Sequence, residues 1–246
     1  MSNKVLVLCA TGKVGKNSTR ALKEAGFEVY GTTRNSKNDL ASKGITPVVC
    51  NYTVRKDLDQ AFATTGAKKV FVITDFFCAA KGKSELEIEQ GKIAIDAAKA
   101  ANVEHLIFVS VADAELFDDK VKHIKTKVVI EKYLKESGVK YSILRPVAFF
   151  ENFDDAANYN PLKMGQLKFL TTTTVKYCST YDIGRAAAVM FKNPSQWLGK
   201  TLDVVSWSGD LSQVAAALEK VPSPSTTRHS LIPPTTRHSL NAFKGR

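Results

Sequence analysis

At 246 residues the chain has room for one α/β domain with a small appendage and too little for two full domains. Its 44% hydrophobic content supports an ordinary buried core, while no apolar run reaches membrane-spanning length and the opening "MSNKVLVL" lacks the longer apolar stretch of a signal peptide. The formal charge of +11 admits nucleic acid, an acidic partner or a phosphorylated ligand, but no helix-turn-helix, zinc signature or aromatic–basic interleaving is present, which argues against direct nucleic-acid binding.

The first segment, "KVLVLCATGKVGKNSTRAL" (4–22), runs a short apolar strand, predicted over Val5–Leu8, into a loop with Gly12 and Gly15. A helix follows, with Val14, Ala21 and Leu22 on one face. This is the setting of a dinucleotide-binding turn, whose three glycines give a tight corner, close backbone approach to a pyrophosphate, and close packing of helix on strand. Here Cys9 stands at the first glycine position.

Further strands are predicted at Glu28–Thr33, Thr46–Val49, Lys69–Ile73, His105–Val109 and Lys140–Leu144. Between them, "NSTRALKEAG", "DLDQAFATTG", "ELEIEQGKIAIDAAKAAN" and "KTKVVIEKYLKESG" read as helices, mostly ending near a glycine or asparagine able to take the left-handed conformation. This alternation implies right-handed βαβ crossovers and a Rossmann-like, doubly wound parallel sheet whose ligands bind at the carboxyl ends of the strands. In "DDKVKHIKTKVVIEKYLKESG", Lys120, Lys122, Lys125, Lys127, Lys132 and Lys135 cluster on a predicted helix.

After residue 150 the chain becomes aromatic and irregular, and "TTTTVKYCSTYDIGRAAAVMFKNP" then predicts a strand and a helix starting near Asp182 as its N-cap. "KTLDVV" and "LSQVAAALEKV" add a strand and a helix. The expected organisation is an NADP-binding Rossmann domain over 1–150, a small C-terminal substrate lobe packed on it over 151–221, and a disordered basic tail over 222–246. That tail carries Arg228, Arg237, Lys244 and Arg246 and a near repeat, "STTRHSLI" then "PTTRHSL". Cys9, Cys50, Cys78 and Cys178 form no C-x-x-C pair, so neither a metal site nor a disulfide framework is expected, and a cytoplasmic setting fits.

The end of the second strand selects the cofactor. An NAD site places an acid there for the ribose hydroxyls, but "VYGTTRNSKN" offers Arg34 and Lys37 and no carboxylate before Asp39. Cations at that place suit the 2′-phosphate of NADP.

In their order, "CATGKVG", "GTTRNSKN", "ITDFF", "HIKTK", "ILRPVAFFENF" and "YDIGRAAA" resemble the NmrA-like family of atypical short-chain dehydrogenases, near the isoflavone-reductase-like enzymes, over about residues 4 to 205. The resemblance implies that Ala10, Thr11, Gly12, Lys13, Val14 and Gly15 hold the pyrophosphate, and Arg34, Asn35 and Lys37 the adenosine phosphate. It places Asn51 and Tyr52 beside the adenine, and Thr74, Asp75 and Phe76 along the path to the nicotinamide. Lys127 would reach the nicotinamide ribose, and Phe149, Phe150, Glu151 and Asn152 would close the far side.

Ordinary short-chain dehydrogenases use a Tyr-x-x-x-Lys pair, but here His123 stands four residues before Lys127. The resemblance to isoflavone-reductase-like enzymes makes Lys127 the candidate catalytic base, and Ser110 matches the usual serine position. Cys9 has two readings: an extended corner that accepts a small side chain, or a redox-sensitive thiol with a lowered pKa at a helix N-terminus. The family usually continues into a longer C-terminal lobe than this chain shows before its tail begins near Val221.

Two functions follow. One is an NADP(H)-dependent oxidoreductase acting on a small carbonyl or alkene substrate against aromatic residues that include Phe76, Phe77, Phe149, Phe150 and Phe153. The other is a non-catalytic NADP(H)-sensing regulator that binds a protein partner according to redox state. A homodimer is compatible with either.

Overall fold

The structure, a computed structural model, describes residues 2–154 and 174–220. Its strands are β1 (Lys4–Val7), β2 (Glu28–Thr33), β3 (Thr46–Val49), β4 (Lys69–Val72), β5 (His105–Val109) and β6 (Tyr141–Pro146). The intervening helices are α1 (Lys13–Glu24), α2 (Arg55–Thr65), α3 (Ser84–Ala100) and α4 (Lys122–Glu136). All six predicted strands are present within a residue or two. They were legible because helices cover both faces, so Val5 to Val7 and Leu106 to Phe108 are each fully buried, unbroken apolar runs. The four helices are followed by Gly26, Gly66, Asn102 and Gly138, each with positive φ, the left-handed turn that stops a helix and returns the chain to the sheet.

Two compact units emerge. The first comprises residues 1–147 and 180–204, the second 148–179 and 205–246. This differs from the contiguous split near residue 150, because α5 (Thr180–Lys192) and β9 (Thr201–Val204) belong to the first unit. There β9 pairs in parallel with the outer edge of β6, Ile143 opposite Thr201 and Pro146 opposite Val204, which satisfies an edge left open by the first six strands. The sheet is then seven parallel strands in the order β3-β2-β1-β4-β5-β6-β9. Helix α5 packs so closely on α1 that a Cβ on Gly184 would lie 2.6 Å from the Ser18 Cα. It begins at Thr180, so Asp182 lies in its first turn and is not its N-cap.

Strand order reverses between β1 and β4, the place where ligands of doubly wound sheets bind.

The second unit has a three-stranded sheet in which β8 (Val175–Cys178) runs parallel to β7 (Ala148–Phe149) and antiparallel to β10 (Trp207–Gly209). Phe153, Tyr177, Val214 and Ala215 form its core. A short helix α6 (Pro194–Trp197) precedes β9, and the terminal helix α7 (Leu211–Glu219) is capped by Asp210 and Gln213 in a reciprocal capping box. No helix of the described residues is long and apolar enough to cross a membrane. The tail expected over 222–246 lies outside the described residues.

Candidate dinucleotide site

The chain leaves β1 through a hydrogen-bonded corner: Cys9 N donates to Thr32 Oγ1 (3.0 Å), Ala10 N to the Thr32 carbonyl (3.2 Å), and Gly12 N to the Cys9 carbonyl (3.0 Å). Cys9 itself has φ 56°, so the extended corner expected from sequence is not what forms. The cause is the approach of Gly15, where a Cβ would come within 2.1 Å of the Cys9 carbonyl oxygen. Directing that carbonyl under α1 forces the left-handed conformation on a non-glycine residue. In return, the first-turn amides of α1, around Lys13, Val14 and Gly15, point outward from a helix whose N-cap is Gly12 and whose first turn holds no acid. Such amides have no intrahelical acceptor and favour an anion.

The Cys9 thiol is not an activated one. Burial pushes its pKa up, the Asp75 carboxylate adds to this, and the opposing influences of Tyr52 and Arg34 are smaller. The expected lowering is therefore corrected. The same influences show that the ends of four adjacent strands converge on the sulfur: Cys9 after β1, Arg34 after β2, Tyr52 after β3 and Asp75 after β4. A Cβ on Gly12 would lie 3.1 Å from Cys9 Sγ, which places the thiol over the loop.

After β2, Arg34 is exposed and forms no hydrogen bond or ion pair with the described residues. Asn35 uses its side-chain oxygen to accept from Lys37 N (2.9 Å), which fixes the turn that presents both residues. The first following carboxylate, Asp39, is held by Lys43. Asn51 likewise folds onto its own turn, accepting from Thr53 Oγ1 (2.8 Å). The Tyr52 ring is buried at 5% exposure, and its hydroxyl lies beside Cys9 without a hydrogen bond of acceptable geometry.

At the end of β4, Asp75 turns its carboxylate back to accept from Cys78 N (2.9 Å) and Ala79 N (3.1 Å), while Asp75 N donates to Gln90 Oε1 (3.2 Å). Thr74 Oγ1 donates to Glu87 Oε1 at 2.8 Å. Glu87 is fully buried, and its carboxylate also accepts from Thr126 Oγ1 and pairs with Lys127 Nζ, which donates to Thr74 Oγ1 as well. The sequence reading had no place for Glu87. One signal was available: Glu87, Gly91, Ala94 and Ala98 recur at helical spacing on one face, and the other three are small or apolar.

His123, one turn before Lys127, is exposed and packs its ring against Phe76 (5.9 Å) and Phe77 (5.4 Å). Partial burial lowers its pKa, Lys127 works in the same direction, and Glu87 opposes both. The Ser110 hydroxyl is directed at Glu131, which is clamped by Arg145 Nε (2.8 Å) and Nη2 (2.7 Å). Phe149, Phe150, Glu151 and Asn152 fall in the second unit, where Phe150 stacks on Tyr177 (5.5 Å) and Glu151 accepts from Ser179 (2.9 Å).

Among curated proteins, the chain is 28% identical over 142 residues to the photosystem II assembly factor Ycf39 of Cyanophora paradoxa, covering 57% of this chain and 44% of that protein. It is 30% identical over 143 residues to the NmrA-like family domain-containing oxidoreductase notA of Aspergillus sp., covering 54% and 42%. The matches thus span under half the length of these relatives. Among solved structures, the triphenylmethane reductase of Citrobacter sp. complexed with NADP(H) superposes with a TM-score of 0.75 at 21% identity, over 89% of this chain and 76% of that one. The NADPH-dependent quinone oxidoreductase of Escherichia coli gives 0.70 at 24%, over 88% and 74%. A mutant NmrA gives 0.69 at 21%, over 88% and 70%. At these identities the structural likeness is one of fold. The family itself is shown by its sequence profile, which matches residues 1–241: this chain belongs to the NmrA-like family.

Proposed function

We propose that this protein is an NADP(H)-dependent oxidoreductase acting on a small carbonyl or alkene substrate. The observation that carries the reading is Arg34: an exposed, unpaired cation after β2, beside a loop built to accept an anion, with Asp39 already engaged by Lys43. The residues present fit a phosphorylated dinucleotide. The first-turn amides of α1 would take the pyrophosphate, Arg34 and Lys37 the 2′-phosphate, and Asn51 and Tyr52 would lie beside the adenine. Lys127 would hold the nicotinamide ribose, and Phe76 and Phe77, the latter 69% exposed, supply an apolar wall for a substrate. Two of the fold relatives bind NADP(H) or depend on NADPH. Bound there, the cofactor would supply or accept hydride.

Calorimetric titration with NADPH, NADP and NADH tests this. NADPH should bind at least about tenfold more tightly than NADH, and Arg34→Ala should abolish the difference by removing a charge-assisted contact. Equal affinities in the wild-type protein, or no binding, would refute the assignment.

A second reading, an NADP(H)-sensing regulator with a protein partner, is favoured by one feature: His123 holds the helix position of the usual tyrosine acid. Partner capture that follows the NADP to NADPH ratio, without turnover of any carbonyl or alkene tested, would select it.

A further inference from the structure

Glu87 is the most deeply buried carboxylate of the site region, and nothing in its own helix neutralises it. It lies in the first turn of α3, whose N-terminal amides favour negative charge. Three side chains from two other segments supply its donors: Thr74 from the end of β4, and Thr126 and Lys127 from α4. With an exposure of 0%, Glu87 has no surface through which to touch a ligand. Lys127, at 13%, has one.

The ammonium group has three protons. One goes to Glu87 and one to Thr74 Oγ1, and the third has no acceptor among the described residues. Because Thr74 in turn donates to Glu87, the two acceptors of Lys127 are locked to each other, and the direction of the third N–H is fixed. A lysine on a flexible stem is ordinarily a poor anchor, since it loses rotamer freedom on binding. Here that freedom is already removed.

We propose that Glu87 is a positioning residue that holds Lys127 as a charged, single-proton anchor for a ribose hydroxyl, so that Lys127 acts as a fixed donor and not as a general base. The ribose rests on the dinucleotide reading above; the coupling of Glu87 to Lys127 does not.

The experiment is a double-mutant cycle of Glu87→Gln and Lys127→Met, read by NADPH calorimetry and by thermal melting without cofactor. Glu87→Gln should weaken NADPH at least about tenfold, and the double variant should bind no worse than Lys127→Met alone, because Glu87 acts only through Lys127. Additive losses would overturn the proposal. Thr126→Val removes one donor to Glu87 and keeps both charges, so a loss of about threefold is expected from a variant that folds even if Glu87→Gln does not.

Site-resolved reductive methylation supplies a readout that a merely structural role would not move. Lys127 should react several times faster in Glu87→Gln than in the wild-type protein, while Lys132 keeps its rate; equal acceleration of both, or none, would overturn the proposal. If the wild-type protein binds no dinucleotide, the functional reading fails by itself. The melting cycle then decides: Lys127→Met should lower Tm and Glu87→Gln should recover part of that loss, whereas additive losses refute the coupling.

Discussion

Two buried glutamates sit close together on packed helices, and each holds a cation at the carboxyl edge of the sheet. Glu131, on α4, faces Arg145 from β6, and Arg145 is gripped a second time by Glu115 at 2.5 Å. Lys135 adds a further contact to Glu131 at 3.2 Å. Around Glu87, one carboxylate meets one ammonium and two hydroxyls, and the ammonium keeps a proton in reserve. The first cluster ties β6 to α4 through ion pairs, with the Ser110 hydroxyl buried beside it. The second lies at the end of β4, where Thr74 precedes Asp75, and its ammonium is held in place with one proton unused among the described residues. Satisfied networks rigidify a fold, while fixed but unsatisfied donors are what a ligand completes.

The largest test of this contrast removes each cation. Arg145→Met leaves Glu131, 2% exposed, with only the half-exposed Lys135 as its cation and should cost about 3 kcal/mol of stability while leaving dinucleotide affinity within about twofold in whatever folds. Lys127→Met should cost at least as much, about 3–5 kcal/mol, because the fully buried Glu87 keeps the Thr74 and Thr126 hydroxyls but no cation, and should remove most dinucleotide affinity. Urea denaturation paired with NADPH titration measures both. Similar losses of affinity in both variants would erase the distinction between clamp and anchor.

Acid separates the carboxyl edge from the opposite end of the sheet. At the start of β5, His105 Nε2 lies 2.8 Å from Ser142 Oγ, which itself donates to the Trp197 carbonyl at 2.7 Å. Nε2 must then carry the proton, and Nδ1, buried and without an acceptor, cannot take a second one cheaply. Burial chiefly, with help from Lys69, pulls the His105 pKa down to about 4 from an ordinary 6.5. Between those values the unfolded chain binds a proton that the folded chain refuses, so stability is full above about pH 6.5 and falls as pH drops toward 4, by about 3 kcal/mol in all. Glu131 behaves differently: burial pushes its carboxyl up, but Arg145, Ser110 and Lys135 outweigh this and hold it below its usual 4.5. Its contribution is present above about pH 4.5 and is lost as pH falls below that value. Urea midpoints at pH 7, 6 and 5 should therefore fall in the wild-type protein and stay nearly flat over that window in His105→Gln.

Much of this architecture was legible in the sequence because it is set locally. Buried parallel strands must be continuous apolar runs, and left-handed helix stops favour Gly26, Gly66, Asn102 and Gly138. The place of Arg34 and Lys37 directly after β2 was legible for the same reason, since it is one of chain order. What sequence did not show depends on distant contacts. Glu87 sits in "SELEIEQG", where local pattern does not tell which of three alternating glutamates is buried; its burial follows from α3 packing so near α4 that a Cβ on Gly91 would strike Ile130. The return of α5 and β9 to the first unit follows from the open edge of β6, which no local pattern announces.

Cys9 is the smallest test and the one that bears on the reserve of valence at the dinucleotide loop. A left-handed φ costs an L-residue about 1–2 kcal/mol, a cost imposed by Gly15 lying under the Cys9 carbonyl. Cys9→Gly relieves that strain and loses a mostly buried thiol, so the two effects should nearly cancel, with a net change under about 1 kcal/mol. Cys9→Val enlarges the side chain and puts a β-branched residue where φ is 56°, and should lower Tm by about 3–8 °C. If the left-handed corner is what aims the first-turn amides of α1, the valine variant should also lose NADPH affinity while the glycine variant keeps it. A valine variant that melts early and still binds normally would mean that the corner serves the stability of β1 and α1 alone, and that the anion site owes its geometry to Gly12 and Gly15.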